Sequence, residues 1–105
     1  MVRKLLLLSF LFIITASFSQ KTLVKLSAVP NPFAFQTTIQ FESAKKQPIF
    51  LIVKNVLGKT ILKKSYLSKK GKNSIPLYKN NLKSGMYFYT IKSNKESISK
   101  RFVIK

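Results

Sequence analysis

Residues that usually carry catalysis or bind metal ions are almost absent from this sequence. It contains no His, no Cys and no Asp, and its two acidic residues, Glu42 and Glu96, lie far apart in the chain. Zinc sites, the carboxylate pairs of glycosidases and His-based triads therefore lack their parts. Ser and Lys are so abundant that a Ser–Lys dyad stays open on composition, but no pairing stands out. The sequence predicts a protein that is not an enzyme, with no catalytic, cofactor-binding or metal-binding residues.

The other distinctive chemical feature is positive charge. Twenty Lys and Arg residues against two acids give a formal charge of +18. A field of this size favours anionic partners such as lipid head groups, acidic polysaccharide or nucleic acid. Lysines on exposed strand faces also prevent strand edges from pairing with other chains, so the charge has a structural explanation as well. Charge alone does not choose between these explanations.

The first residues have the pattern of a cleavable export signal. A basic start is followed by an apolar run of about a dozen residues, and small residues lead up to Ser19. The run is shorter than the roughly 20 apolar residues that a membrane span needs, and polar residues follow it at once. We expect a signal peptide over residues 1–19, cleavage between Ser19 and Gln20, and a mature domain over residues 20–105.

The mature segment has the pattern of short strands separated by turn residues. Apolar and polar residues alternate in stretches such as Thr37–Glu42, and turn residues recur at intervals of roughly 8 to 12 residues, a rhythm typical of a sandwich or barrel. The continuous apolar run Ile49–Val53 is expected to be a central strand covered on both faces. The sequence thus predicts an all-β fold, an antiparallel sandwich of about seven strands in one domain.

Several turns and strand positions are expected at particular residues. The first strand should bury three alternate residues, Val24, Leu26 and Ala28. Gly58 is free to adopt the positive φ of a turn, and Lys69–Asn73 is expected to be a basic hairpin tip. Pro76 cannot donate a hydrogen bond to a sheet, so its strand should lie at an edge or carry a bulge.

Aromatic residues among many lysines would also suit the binding of single-stranded nucleic acid by stacking. The strand period instead assigns Phe41, Phe50 and Phe102 to the core. Export would also separate the protein from cytosolic nucleic acid. Nucleic acid is therefore disfavoured as a partner.

Five motifs occur in an order that resembles one known family. They are Pro30–Phe33, Thr37–Phe41, Val56–Lys59, Leu82–Tyr89 and Lys100–Lys105. Together they resemble the type A C-terminal sorting domain of the type IX secretion system of Bacteroidetes, over about Val24 to Lys105. Each motif is weak alone, but their order and spacing are specific.

This resemblance implies an immunoglobulin-like β-sandwich that catalyses nothing and directs an exported protein across the outer membrane. The implied route passes through the periplasm and ends in the medium or at the cell surface. The implied partners are the outer-membrane translocon and a sortase-like peptidase, which removes the domain and attaches cargo to anionic lipopolysaccharide.

The resemblance also assigns a sorting motif to an opening bend, two turns and the last strand. The bend consists of Pro30, Asn31, Pro32 and Phe33, and it is expected to direct Phe33 into the core. The turns and the strand after the second turn contribute Gly58, Gly85 and Tyr87. The last strand contributes Lys100, Arg101, Phe102, Val103, Ile104 and Lys105, and such a strand can be added to a partner's sheet edge. For the bend, a purely structural role and direct contact with the machinery both stay open.

Family members normally follow a large passenger, whereas here the sorting-like domain follows the expected signal peptide directly. Two alternatives therefore stay open. One is a small secreted cationic module that holds anionic envelope glycan or lipopolysaccharide through the charge of +16 left when Arg3 and Lys4 are removed. The other is a truncated remnant of a longer gene.

Overall fold

A computed structural model describes residues 21–105, so the expected signal peptide and the Ser19–Gln20 cleavage site lie outside the described residues. That range is all-β, as predicted, and within it no helix is long and apolar enough to cross a membrane. Its seven strands are β1 (Leu23–Val29), β2 (Gln36–Ser43), β3 (Gln47–Lys54), β4 (Thr60–Ser68), β5 (Gly71–Tyr78), β6 (Gly85–Lys92) and β7 (Ser97–Ile104).

The strands form two antiparallel sheets packed as a sandwich. Sheet A has the order β1-β2-β5 and sheet B the order β4-β3-β6-β7. β1 packs against β7 on one side of the sandwich, and β4 and β5 border the other side. β5 is an edge strand, as Pro76 predicted. Lys69–Asn73 is not a hairpin tip, because β4 pairs with β3 and β5 with β2, so the chain crosses between sheets there.

One apolar core lies between the sheets and receives alternate apolar residues from every strand except β4, whose inward apolar residues, Leu62 and Tyr66, are only partly buried. The Thr37, Ile39 and Phe41 positions of β2 are buried, as the alternation predicted. The other buried apolar residues are Leu23, Leu26, Ala28, Phe33, Ile49, Leu51, Val53, Ile75, Leu77, Tyr87, Tyr89, Ile91, Phe102 and Ile104.

β1 differs from the prediction at its start. Leu26 and Ala28 are buried as expected, but Val24 is 37% exposed and Leu23 takes its place in the core. The register with β2 shifts between Val24 and Ser27, and Lys25 has a φ of 58°. A bulge here reverses the alternation, and a strict period of two cannot anticipate it.

β3 is covered on one face only, contrary to the prediction. Ile49, Leu51 and Val53 are buried, whereas Phe50 is 38% exposed and Ile52 is half-buried. The placement of Phe50 in the core is therefore also wrong. The reason is architectural: in the described part of the chain the outer face of sheet B is open to solvent. A continuous apolar run is typical of a strand covered on both faces, and the sequence of β3 alone does not distinguish such a strand from one with an open outer face.

The pairing of the strands shows at which of the two ends of the sandwich each connection lies. The motif end, as we name it, holds the bend 30–35, the turn 55–59, the loop 79–84 and the last residues of β7. The N-terminal end holds residues 21–22 and the turns 44–46, 69–70 and 93–96. Four of the five motifs thus meet at the motif end, and the fifth begins β2 beside it.

The N-terminal end is held together by a polar network around Glu96. The Glu96 carboxylate accepts hydrogen bonds from the N–H of Thr22 at 2.9 Å, from the Thr22 hydroxyl at 3.0 Å and from the N–H of Leu23. The Gln47 side chain donates to the Thr22 and Ser43 hydroxyls, both at 3.1 Å. The residues that lead into β1 are therefore tied to the β6–β7 turn.

Acid is expected to weaken this network. Burial raises the pKa of Glu96, but hydrogen bonds from Leu23 and Thr22 and the charge of Lys21 outweigh burial and leave that pKa below its ordinary value of 4.5. Such a group contributes stability that is present above the unfolded pKa and is lost as pH falls through the folded pKa. We expect the thermal unfolding midpoint to fall as pH drops below 4.5, and to fall less in Glu96→Gln. Glu42→Gln, which removes the same charge elsewhere, should behave like the native protein, and equal acid sensitivity in all three would contradict this account.

Candidate functional site

The opening bend and the last strand are in direct contact at the motif end. Phe33 forms an isolated parallel bridge with Ile104. The Phe33 N–H donates to the Val103 carbonyl at 3.0 Å, and the Phe33 carbonyl accepts from the Lys105 N–H at 2.8 Å. The bend therefore runs along the edge of β7 that faces away from β6.

The Asn31 side chain extends this pairing along β7. Its Nδ2 donates to the Arg101 carbonyl at 3.2 Å, and its Oδ1 accepts from the Val103 N–H at 3.0 Å. The amide donates one hydrogen bond and accepts another, so it pairs with the main-chain groups of β7 as a neighbouring strand would. We call Asn31–Phe33 the edge cap, because it occupies outward main-chain groups of β7 from Arg101 to Lys105.

The two prolines of the bend flank Asn31 and are exposed. The Val29–Pro30 and Asn31–Pro32 peptide bonds are both cis. The Pro30 carbonyl accepts a hydrogen bond from the Thr37 hydroxyl at 2.6 Å, which ties the bend to the start of β2. Since proline has no N–H, neither residue leaves a main-chain donor without a partner in this corner.

Beneath the edge cap, aromatic rings surround Phe102, which is fully buried. Ring centroids of Phe33, Tyr87 and Tyr89 lie 5.2, 5.7 and 5.4 Å from that of Phe102. Burial also raises the pKa of Tyr89. The Tyr87 hydroxyl donates to the Lys83 carbonyl at 2.6 Å, which ties the core to the β5–β6 loop. Phe33, Tyr87 and Phe102 of the expected sorting motif thus pack in the core, and the prediction that Phe33 enters the core is confirmed.

Gly85, at the start of β6, lies next to the end of β7. This glycine pairs with the buried Ile104, and its φ of 139° is a conformation that favours glycine. Beside it, the Ser84 hydroxyl donates to the main-chain oxygen of Lys105 at 2.7 Å. The loop before β6 therefore holds Lys105, the residue after β7, from the side opposite the edge cap.

Gly58 lies in a separate turn of the motif end. Its φ is 83°, as the sequence predicted, and its N–H donates to the Asn55 carbonyl at 3.0 Å. The Asn55 side chain accepts from the N–H groups of Leu57 and Lys59, both at 3.0 Å. These hydrogen bonds stay within the turn, which lies across sheet B from β7, so the structure does not bring Gly58 into contact with the edge cap.

The remaining residues of the expected motif point to solvent. Lys100, Arg101 and Lys105 are exposed, and Val103 is 38% exposed. Lys100 interrupts the buried side of β7, as its position in the pattern indicated. These side chains, rather than the main chain that the edge cap covers, are what β7 presents near its end.

The motif end also exposes apolar side chains to which the sequence analysis assigned no role of their own. Leu57 and Phe35 are 89% and 84% exposed, and Val56, Val29 and Tyr78 are more than half exposed. Lysines lie among them, whereas both acids of the chain, Glu42 and Glu96, lie towards the N-terminal end. For Phe35, Val56 and Leu57, the available signal was an apolar residue in a connection, outside the strand period. Grouped exposed apolar residues are typical of a protein-binding surface.

A family model described as a secretion system C-terminal sorting domain matches residues 27–105. The match runs from the second half of β1 to the end of β7 and includes every connection of the motif end. A search of curated proteins found no match.

Proposed function

The chain belongs to the family of type IX secretion C-terminal sorting domains, and from this premise we propose that its motif end is the surface recognised by the secretion machinery. The family is not a catalytic one, and a sorting domain acts by binding the machinery that exports it across the outer membrane, to the medium or the cell surface. The comparisons lend no support to the alternative of a cationic module for envelope glycan.

The observation that carries the proposal is the convergence of distant motifs on one surface. The edge cap joins Asn31 and Phe33 to a strand some seventy residues later in the chain. Val29 and Phe35, both exposed, adjoin this joint, and Val56 and Leu57 are exposed at the same end of the sandwich. Among the described residues, neither Glu42 nor Glu96 lies at that end to neutralise the basic side chains there. A partner with an acidic rim and an apolar centre is complementary to such a surface.

The edge cap favours recognition through side chains. Strand addition at Arg101–Lys105 requires the partner to displace Asn31 and Phe33, which already occupy those main-chain groups. Arg101, Val103 and Leu57 can instead be contacted while the cap stays in place. We therefore propose that the translocon binds the capped domain in its folded form.

The second proposed partner, a sortase-like peptidase, would act at the other end of the molecule. Residues that precede β1 join the domain at the N-terminal end, beside Glu96. Strands of eight residues, at about 3.3 Å per residue, place this junction roughly 25 Å from the motif end. Recognition and cleavage can therefore use different surfaces. The proposed route leads from the expected signal peptide through the periplasm to the translocon.

Export of a reporter tests the motif end directly. We propose to fuse residues 20–105 to a periplasmic reporter in a host that has type IX secretion and to measure the reporter outside the cell. Leu57→Ser, at an apolar residue that is 89% exposed, should weaken recognition by about tenfold, because losing an apolar interface contact of about 1–2 kcal/mol corresponds to roughly that factor in affinity. The variant reporter should accumulate in the periplasm.

Leu67→Ser is the matched control, since Leu67 is 62% exposed but lies near the N-terminal end. Its reporter should be exported like the native fusion. A native fusion that never leaves the periplasm would contradict the sorting function. Equal export of the native and Leu57→Ser fusions would remove this turn from the recognition surface.

A further inference from the structure

One side of the sandwich is open, with a groove between its sheets. β4 and β5 follow each other in the chain but belong to different sheets, and the groove between them has a volume of about 270 Å³. Its walls are mainly apolar, and they include Leu51, Ile61, Leu62, Tyr66, Leu77 and Leu82. The opposite side of the sandwich, where β1 packs on β7, is closed.

A lysine lies among these apolar residues. Lys64 is opposite the buried Leu51 in the β3–β4 pairing, on the core side of β4. The adjacent Lys63 points the other way, and its Nζ lies 4.9 Å from the centroid of the Phe50 ring on the outer face. Lys64 thus lines the groove with its stem while the residue stays exposed, which places its charge at the rim.

The rim is positively charged, and no acidic residue of the described part of the chain lies beside it. Lys79 from the β5–β6 loop also lines the groove. Of the two acids in the chain, Glu42 is 3.4 Å from Lys25 and Glu96 binds the residues before β1. The groove therefore combines apolar walls with uncompensated positive charge, and the complementary ligand has an apolar body and an anionic head.

The two strand edges that border the groove are poorly suited to a peptide strand. Pro76 on β5 cannot donate a hydrogen bond to an added strand. β4 has a register shift opposite Val53–Lys54, and its inward Lys64 is a device that blocks edge pairing. A ligand without a main chain to pair fits these edges better than a peptide does.

We propose that this groove binds a small anionic amphiphile, with an alkyl chain on the apolar walls and a carboxylate or phosphate at Lys64 and Lys79. The volume of about 270 Å³ lies near the lower limit of about 300 Å³ for small-molecule pockets, so the chain is a short one. This binding goes beyond the proposed sorting function: the groove lies on the open side of the sandwich and leaves the edge cap untouched, and it shares only residues 78–82 with the motif end.

Titration of the purified protein with octyl phosphate, octanoate and octanol tests the proposal, with amide NMR shifts to locate the ligand and calorimetry to measure affinity. Saturable shifts should centre on Leu62, Tyr66 and Leu82. A charge-assisted hydrogen bond contributes about 1.5–3 kcal/mol, so Lys64→Gln should weaken octyl phosphate or octanoate binding by at least about tenfold. Octanol should bind more weakly, and Lys64→Gln should leave its affinity unchanged.

Lys63→Gln is the matched control, because it removes the same charge from the neighbouring residue on the outer face. Its affinity for octyl phosphate should stay near the native value. Leu82→Phe, which adds volume inside the groove, should weaken all three ligands. Equal losses in Lys63→Gln and Lys64→Gln would show general surface attraction and overturn the proposal. Absence of saturable shifts, or binding of an acidic peptide but not of octyl phosphate, would overturn it too.

Discussion

Phe102→Ala is expected to lower the free energy of unfolding by about 3–5 kcal/mol, the usual cost of removing a buried Phe ring. Phe102 is fully buried, and its ring is the common neighbour of Phe33, Tyr87 and Tyr89. The substitution removes three aromatic contacts as well as the buried area. A domain of this size has a total stability of only about 5–15 kcal/mol, so the variant should lose a large part of it and unfold at a much lower urea concentration than the native protein.

Phe50→Ala is the matched control for this prediction. Phe50 is 38% exposed on the outer face of sheet B, with the Lys63 Nζ near its ring. Its removal should cost about 1 kcal/mol or less, since a half-exposed ring leaves no closed cavity. Urea unfolding of the three proteins measures both changes. Similar losses for the two variants would contradict the central position that we assign to Phe102.

The number and class of the strands could be predicted from the sequence because the signals are local. Alternation in Thr37–Glu42 and turn residues such as Gly58 depend only on near neighbours in the chain. The predictions were wrong where the exposure of a residue or the course of a connection depends on strands that are distant in the chain. Phe50 lies on an open face because no element of the described chain covers the outer face of sheet B, and the sequence of β3 does not show whether that face is covered. The crossing at Lys69–Asn73 likewise depends on which strands pair.

The resemblance named single residues for the expected sorting motif but did not give their arrangement. The resemblance indicated Asn31 and Arg101 separately, whereas their hydrogen bond joins residues far apart in the chain. Exposed residues such as Phe35 carry no pattern of their own, and they become informative only when the connections of one end are seen together. The groove beside Lys64 could not be predicted without knowing that β4 and β5 are edge strands. Each of these features is a consequence of pairing over long sequence separations.

Asn31→Ala is expected to open the edge of β7 and to abolish most export of a reporter fused to residues 20–105. The substitution removes the partners of the Arg101 carbonyl and the Val103 N–H. Because the bend is exposed, water can replace part of this loss, and the cost in stability should be about 1–2 kcal/mol. The domain should still fold. Hydrogen exchange at the Val103 amide should accelerate while exchange in β2 stays slow.

Asn73→Ala separates recognition from stability. Asn73 also holds main chain through its side-chain amide, with hydrogen bonds to Lys69 and Gly71 of 2.9 to 3.0 Å, but at the N-terminal end. It should lose similar stability and keep native export. If both variants lose export in proportion to stability, export reports only on folding. If Asn31→Ala exchanges quickly at Val103 yet is exported normally, the machinery does not require the cap. Loss confined to Asn31→Ala would make the capped end of β7 the feature that is recognised.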